Sequence, residues 1–145
     1  EKIRFLGQIH KMKKAVAVIL AYENKILLHL RDNNPGIVHP GVWAFIGGAI
    51  ENNETEIEAA KRETMEELKC EIKNLKLLKT LYLSNYDVLA AIFSANLDAL
   101  PNKINEGIMI KLFDLEEIEK LNMPNVLKET IFENKHKIFS LPPHG

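Results

Sequence analysis

Apolar positions along this chain follow two periods, one near 2 and one near 3.6. Ala15–Ala21 is rich in β-branched residues and Ile26–Leu30 is apolar again, with the turn-like Tyr22-Glu23-Asn24-Lys25 between them. That pattern predicts a β-hairpin. Arg31–Val42, RDNNPGIVHPGV, is punctuated by Asn33, Asn34, Pro35, Gly36, Pro40 and Gly41 and reads as a loop. A connection of about a dozen residues is long for a compact domain, and loops of that length are often functional. Trp43–Ile46 reads as a short strand with Trp43 and Phe45 on one side of it. Core packing is the default for both aromatics, and one of them can line a pocket for a base or sugar. Gly47–Asn53 then reads as a turn.

Thr55-Glu56-Ile57-Glu58 has the capping-box spacing, so a helix begins there. Ala59, Ala60, Met65, Glu66, Glu67 and Leu68 are good helix formers. At about 100° per residue, Ile57, Ala60, Thr64 and Leu68 make one stripe for the core, and Glu63, Glu66 and Glu67 share another face. Ile72, Leu75–Leu83 and Val88–Ser94 read as strands, with Ser84–Asp87 as a hairpin loop. Asp98–Gly107 is another loop and Ile108–Phe113 a final strand. Asp114 can cap a short helix, Leu115–Leu121. Pro124 can open a last helix to about Phe139, with Leu127, Ile131 and the stem of Lys135 on one side. Residues 1–14 read as an arm or edge strand, and residues 141–145 as a tail. No repeat or linker interrupts the chain. The expectation is one domain over residues 1–145, of α/β or α+β type, with helices on both faces of a mixed sheet.

Composition narrows the function. The chain has 145 residues, 46% hydrophobic and 27% charged, the balance of a soluble globular protein able to bury a core. Its net charge of −1 carries no broad footprint for duplex nucleic acid, so no stable nucleic-acid partner is expected. Lys11, Lys13 and Lys14 form a small basic patch that reads as a solvated segment. A single cysteine, Cys70, cannot form an internal disulfide, so the cytoplasm is the expected compartment. The longest apolar run, Ala15–Tyr22, is far short of the ~20 residues of a membrane span. No cleavage-site pattern follows it. His10, His29, His39 and His136 show no metal-ligand spacing.

The acidic helix carries the chemistry. Most Glu-rich helices are only solvated, and Arg62 lies four residues from both Glu58 and Glu66. Yet Glu63 with Glu66, and Glu63 with Glu67, are like-charge neighbours, each costing roughly 0.2–0.5 kcal/mol. A cation would remove that cost. Hard divalent cations such as Mg²⁺ take oxygen ligands, commonly one or two carboxylates plus substrate phosphates. Gly47-Gly48 beside the helix permits close backbone approach.

Gly48, five residues, Glu54, seven residues, then Arg62-Glu63-Thr64-Met65-Glu66-Glu67 resembles the Nudix box. Two positions depart from it. Lys69 stands where the family usually has a helix-ending glycine, and Ile46 where proline often precedes the glycines. The acids are all present. The resemblance implies an α/β/α sandwich around a mixed β-sheet and metal-dependent hydrolysis of a nucleoside diphosphate linked to another group X. It implies Mg²⁺, with Mn²⁺ as a substitute, held by Glu63, Glu66, Glu67 and the Gly47 carbonyl. Arg62 would orient the glutamates and Glu54 support the loop–helix geometry. The base would be Glu63 or a distant acid, for which Glu106 is the candidate against its reading as a solvated loop acid. Arg31 would meet phosphate or be a plain strand-end residue, and Trp43, Phe45 and Gly48 complete the substrate candidates. Nucleoside triphosphates, including oxidised or deoxy forms, lead as the expected small-molecule partner. NDP-sugars come next, and a non-catalytic nucleotide-binding module is the alternative class. Homodimerisation stays open.

Overall fold

The computed structural model describes residues 2–5, 8–101 and 109–139. Glu106, Ile108 and the expected tail therefore lie outside the described residues. Strands β1 (Lys2–Phe5) and β2 (Gln8–Lys11) pair antiparallel as a separate ribbon. The seven-stranded sheet is built around β3 (Lys13–Tyr22). One side of β3 is covered along its length by β8 (Val88–Asn96), in parallel. The other side is shared by two antiparallel strands. β4 (Lys25–Leu30) pairs with the end of β3, and β6 (Ile46–Ala49) with Ala15–Val18. The short β5 (Trp43–Ala44) lies against His29 and Leu30, so the chain changes partner at Phe45, where β4 peels away from β3. β7 (Lys76–Leu83) continues the sheet beyond β8, and β9 (Met109–Phe113) beyond β4. The predicted first hairpin closes on Glu23 and Asn24, both at positive φ, as a two-residue turn between twisted strands requires.

β3 is buried on both faces, and its alternation sorts the core into two layers. Val16, Val18 and Leu20 pack with Leu27, Ile46, Ala91 and Phe93 under Ala59, Ala60 and Leu68 of α1 (Glu56–Leu68). Ile19 and Ala21 pack on the opposite face with Ile26, Leu28 and Ile92. That layer is closed by Ile118 of α2 (Leu115–Lys120), Leu127 and Ile131 of α3 (Asn125–Glu133), and Ile138 of α4 (Lys135–Ile138). Each fully buried aliphatic side chain contributes about 1.5–3 kcal/mol. The result is the expected sandwich, with helices on both faces of a mixed sheet.

Several local expectations are corrected. Ile57 is 47% exposed, and Ala59 takes its place on the buried stripe beside Ala60, Thr64 and Leu68. Two adjacent alanines let α1 lie close on the sheet, which moves the contact face away from Ile57. Gly47 and Gly48 are not turn residues but the middle of β6, opposite Ala17 and Val16. Ile72 is buried but belongs to no strand. The last helix breaks at Asn134, whose buried amide donates to the Thr130 carbonyl at 2.9 Å. Asparagine competes in this way with the helical backbone, so Ile138 rather than the Lys135 stem reaches the core. Lys69 ends α1 at φ 56°, ψ 36°, the left-handed conformation that favours glycine at a helix end.

Candidate active site

The N-terminus of α1 is fixed locally. Thr55 and Glu58 form a reciprocal capping box, with the Thr55 amide donating to Glu58 Oε1 at 2.8 Å and the Glu58 amide to Thr55 Oγ1 at 3.1 Å. Glu54 reaches back to accept from the Glu51 amide at 2.9 Å, closing the turn before the helix.

Arg62 gathers the acids. Its Nε and Nη2 donate to the two oxygens of Glu54 at 2.6 and 3.0 Å, a bidentate pair. Nη1 donates to Glu63 at 3.0 Å and Glu66 at 3.2 Å, and Nη2 also reaches the Ala49 carbonyl at 3.0 Å. The guanidinium thus ties the end of β6 to α1. Its proton affinity is raised, first by the Glu54 hydrogen bond, and Glu54 is held below the usual carboxylate range by the same bond. Glu63 differs. Burial pushes its carboxyl upward, Arg62 opposes this, and Glu66 and Glu67 reinforce it. Glu67 is also raised, by burial first, against the pull of Arg31.

The double glycine has two separate reasons. A Cβ on Gly47 would overlap the Val16 carbonyl oxygen and sit 2.8 Å from the Ala17 Cα, so close approach of β6 to β3 requires glycine. A Cβ on Gly48 would overlap the Glu63 carboxylate. Glu63 therefore lies against bare backbone at the strand.

A cavity of about 270 Å³ adjoins this strand. Ala15, Ala17, Phe45, Ala90, Ile92 and Leu127 make its apolar wall, and Gly47, Gly48 and Arg31 border it. Small side chains on β3 and β8 leave the space. Arg31 borders the cavity, is partly buried with its Nε unpaired among the described residues, and its charge acts on Glu67 of the acid helix.

The donor chemistry suits a hard divalent cation: carboxylate oxygens from one helix, two of them with raised proton affinity in partly buried positions beside unhindered backbone at Gly47-Gly48. The side chains do not form a closed cage. Arg62 draws Glu63 and Glu66 to itself, and among the described residues no three acids or other ligating groups converge on one point.

Comparison with known families matches the NUDIX domain over residues 11–133. The chain belongs to the Nudix family. Among solved structures, this Nudix hydrolase is similar to the MutT protein from Methanosarcina mazei Go1, with 21% identity and a TM-score of 0.71 over 86% of this chain and 94% of that one. A NUDIX hydrolase from Nitrosomonas europaea shares 28% identity at a TM-score of 0.66, covering 95% and 80% of the two chains. The NUDIX domain of Shewanella oneidensis NrtR, complexed with ADP ribose, aligns at 18% identity and a TM-score of 0.70 over 87% and 90%. Comparison with curated protein sequences gives no significant match.

The Nudix helix and its preceding strand bring Gly47, Gly48, Glu54, Arg62, Glu63 and Glu66 together, with Glu67 one turn beyond Glu63 and within the field of Arg31. Arg31, Phe45 and Gly48 border the cavity. Trp43 does not; its ring meets Phe113 edge-on at 4.9 Å. Sequence reasoning missed Ala15, Ala17 and Ala90, whose only signal was small size within β-branched runs. Lys13 and Lys14 also border the cavity, where the sequence pointed only to a solvated segment. No helix among the described residues is long and apolar enough to cross a membrane.

Proposed function

We propose that this Nudix hydrolase cleaves a pyrophosphate bond in a nucleoside diphosphate derivative, with nucleoside triphosphates as the leading class. One observation carries the reading: an apolar cavity of about 270 Å³ opens onto Gly47-Gly48 and Arg31, at the edge of the acid helix. A nucleoside seated in the cavity brings its phosphates out past Arg31 towards Glu63, Glu66 and Glu67. Phe45 lines the space for the base, and Arg31 places a guanidinium at its border for a phosphate oxygen.

Glu63, Glu66, Glu67 and the Gly47 carbonyl would hold Mg²⁺ or Mn²⁺. When bound, the ion neutralises phosphate charge and lowers the pKa of coordinated water. Glu63 is the helix acid proposed to accept the proton of the attacking water, since its carboxylate lies against Gly48 at the strand and burial raises its proton affinity. Attack on phosphorus then breaks the P–O bond to the leaving phosphate in line. Arg62 stays with Glu54 and keeps the glutamates aimed rather than meeting substrate.

The NrtR domain complexed with ADP ribose favours a second reading, in which X is a sugar. A panel of nucleoside triphosphates, oxidised and deoxy forms included, ADP-ribose and NDP-sugars separates the two. Phosphate would be measured after inorganic pyrophosphatase for triphosphates and after alkaline phosphatase for diphosphate-linked substrates. Metal-dependent release from one class is the expected result. Nucleotide binding without turnover on any member, with either Mg²⁺ or Mn²⁺, would make the chain a binding module.

A further inference from the structure

The loop between β4 and β5 carries Arg31 at its start, and its shape is fixed at two places. Its base is closed by backbone bonds, Arg31 amide to Val42 carbonyl and Gly41 amide to Asp32 carbonyl, both 2.9 Å. Its far end is fixed by a side chain from another element. Tyr86, in the β7–β8 turn, accepts from the His39 amide at 3.1 Å, and its ring meets the His39 imidazole edge-on at 5.3 Å. His39 Nε2 is buried without a hydrogen-bond partner among the described residues, none of which anchors the imidazole through that nitrogen. His39 also sits at φ 51°, a conformation that needs support from its surroundings. Val38, next to His39, and Leu83 and Val88, flanking the Tyr86 turn, line the cavity. The Tyr86–His39 contact therefore joins two walls of the cavity and spans from the β7–β8 turn to the loop that bears Arg31.

We infer that Tyr86 is a positioning residue for substrate, holding the 31–42 loop so that Arg31 meets the phosphates of a nucleotide seated in the cavity. This deepens the nucleotide reading above and rests on it. Tyr86 touches no reacting atom. Its effect passes through Arg31, so it acts on recognition of phosphate and not of the nucleoside.

The test measures binding of ADP and GDP, and of adenosine and guanosine, by calorimetry in wild type, Tyr86→Phe, Arg31→Ala and the double variant. Tyr86→Phe keeps the ring and removes only the acceptor for the His39 amide, so the fold is retained. Its affinity for the preferred nucleoside diphosphate is expected to fall roughly three- to tenfold, the worth of one net hydrogen bond, with nucleoside affinity unchanged. With Arg31→Ala already present, Tyr86→Phe should add nothing. Hydrogen exchange at the His39 amide should rise in Tyr86→Phe, which reads the contact independently of ligand. In turnover, KM should rise with kcat kept. Equal loss for nucleoside and diphosphate, additive losses in the double variant, or unchanged diphosphate binding would each overturn the proposal. Failure of the wild-type protein to bind either diphosphate would instead strike the nucleotide reading, and the positioning role would fall with it.

Discussion

Gly47 and Gly48 are adjacent, yet alanine at each should fail in a different way. At Gly47 the added Cβ lands on the backbone of β3, 2.8 Å from the Ala17 Cα and 3.1 Å from the Val16 carbonyl carbon. Ordinary contact begins near 3.4 Å and the Val16 carbonyl oxygen is closer still, so two paired strands must separate by more than the 0.6 Å (3.4 − 2.8) that the Ala17 Cα alone requires, at the middle of the sheet. Nothing there can rotate away. The cost belongs at the upper end of the overpacking range, about 3 kcal/mol. At ~2–4 °C per kcal/mol for a chain of this size, the melting temperature should fall by roughly 6–12 °C. At Gly48 the obstacle is the end of a flexible side chain, with Glu63 Oε1 2.9 Å from the Cβ. Glu63 can swing aside for about 1 kcal/mol, so Gly48→Ala should melt within roughly 4 °C of wild type. The displaced carboxylate is the one assigned to the reaction. A shift of about 1 Å there should lower kcat/KM by about 10²-fold. Thermal melts and turnover on the best substrate, measured for both variants, would check this pairing. Wild-type kcat/KM in Gly48→Ala would refute the placing of Glu63 against the strand, and a wild-type melting temperature in Gly47→Ala would refute the close approach of β6 to β3.

Glu67→Gln should abolish metal-dependent turnover while its circular dichroism and melting temperature stay near wild type; full activity would remove Glu67 from the metal set. His29 is buried on β4, and burial lowers its pKa from 6.5 to about 4. Between those values the unfolded chain binds the proton and the folded chain does not, so stability is full above pH 6.5 and is lost as the pH falls towards 4. The gap corresponds to about 3 kcal/mol, so wild type should lose more stability than His29→Gln between pH 7 and 4.5 in urea melts; parallel losses would refute it. Lys69→Gly relieves a left-handed residue at the end of α1 and should raise stability by up to ~1 kcal/mol without changing turnover.

Much of this protein was legible in its residues alone. The hairpin around Glu23-Asn24, the capped start of α1 and the clustering of Glu63, Glu66 and Glu67 follow from local rules of turn, cap and helical period. Those rules act within a few residues, so spacing reports them. The left-handed end at Lys69 is of the same kind. Other features depend on what an element meets in space. Ile57 fits the helical stripe but is left exposed, because the closeness allowed by Ala59 and Ala60 chooses the buried face. Gly47-Gly48 reads as a turn, and only the pairing of β6 with β3 shows that one glycine admits a strand and the other a carboxylate. Arg62 could have paired with Glu58 by spacing; the folded turn offers it the two oxygens of Glu54 instead. The cavity is the furthest from the sequence. Ala15, Ala17 and Ala90 are ordinary strand residues until β3 and β8 are laid side by side, when three missing side chains add up to one space. Chemistry confined to a helix is thus written along the chain, whereas the shape that selects a substrate arises from residues far apart in it and exists only after folding.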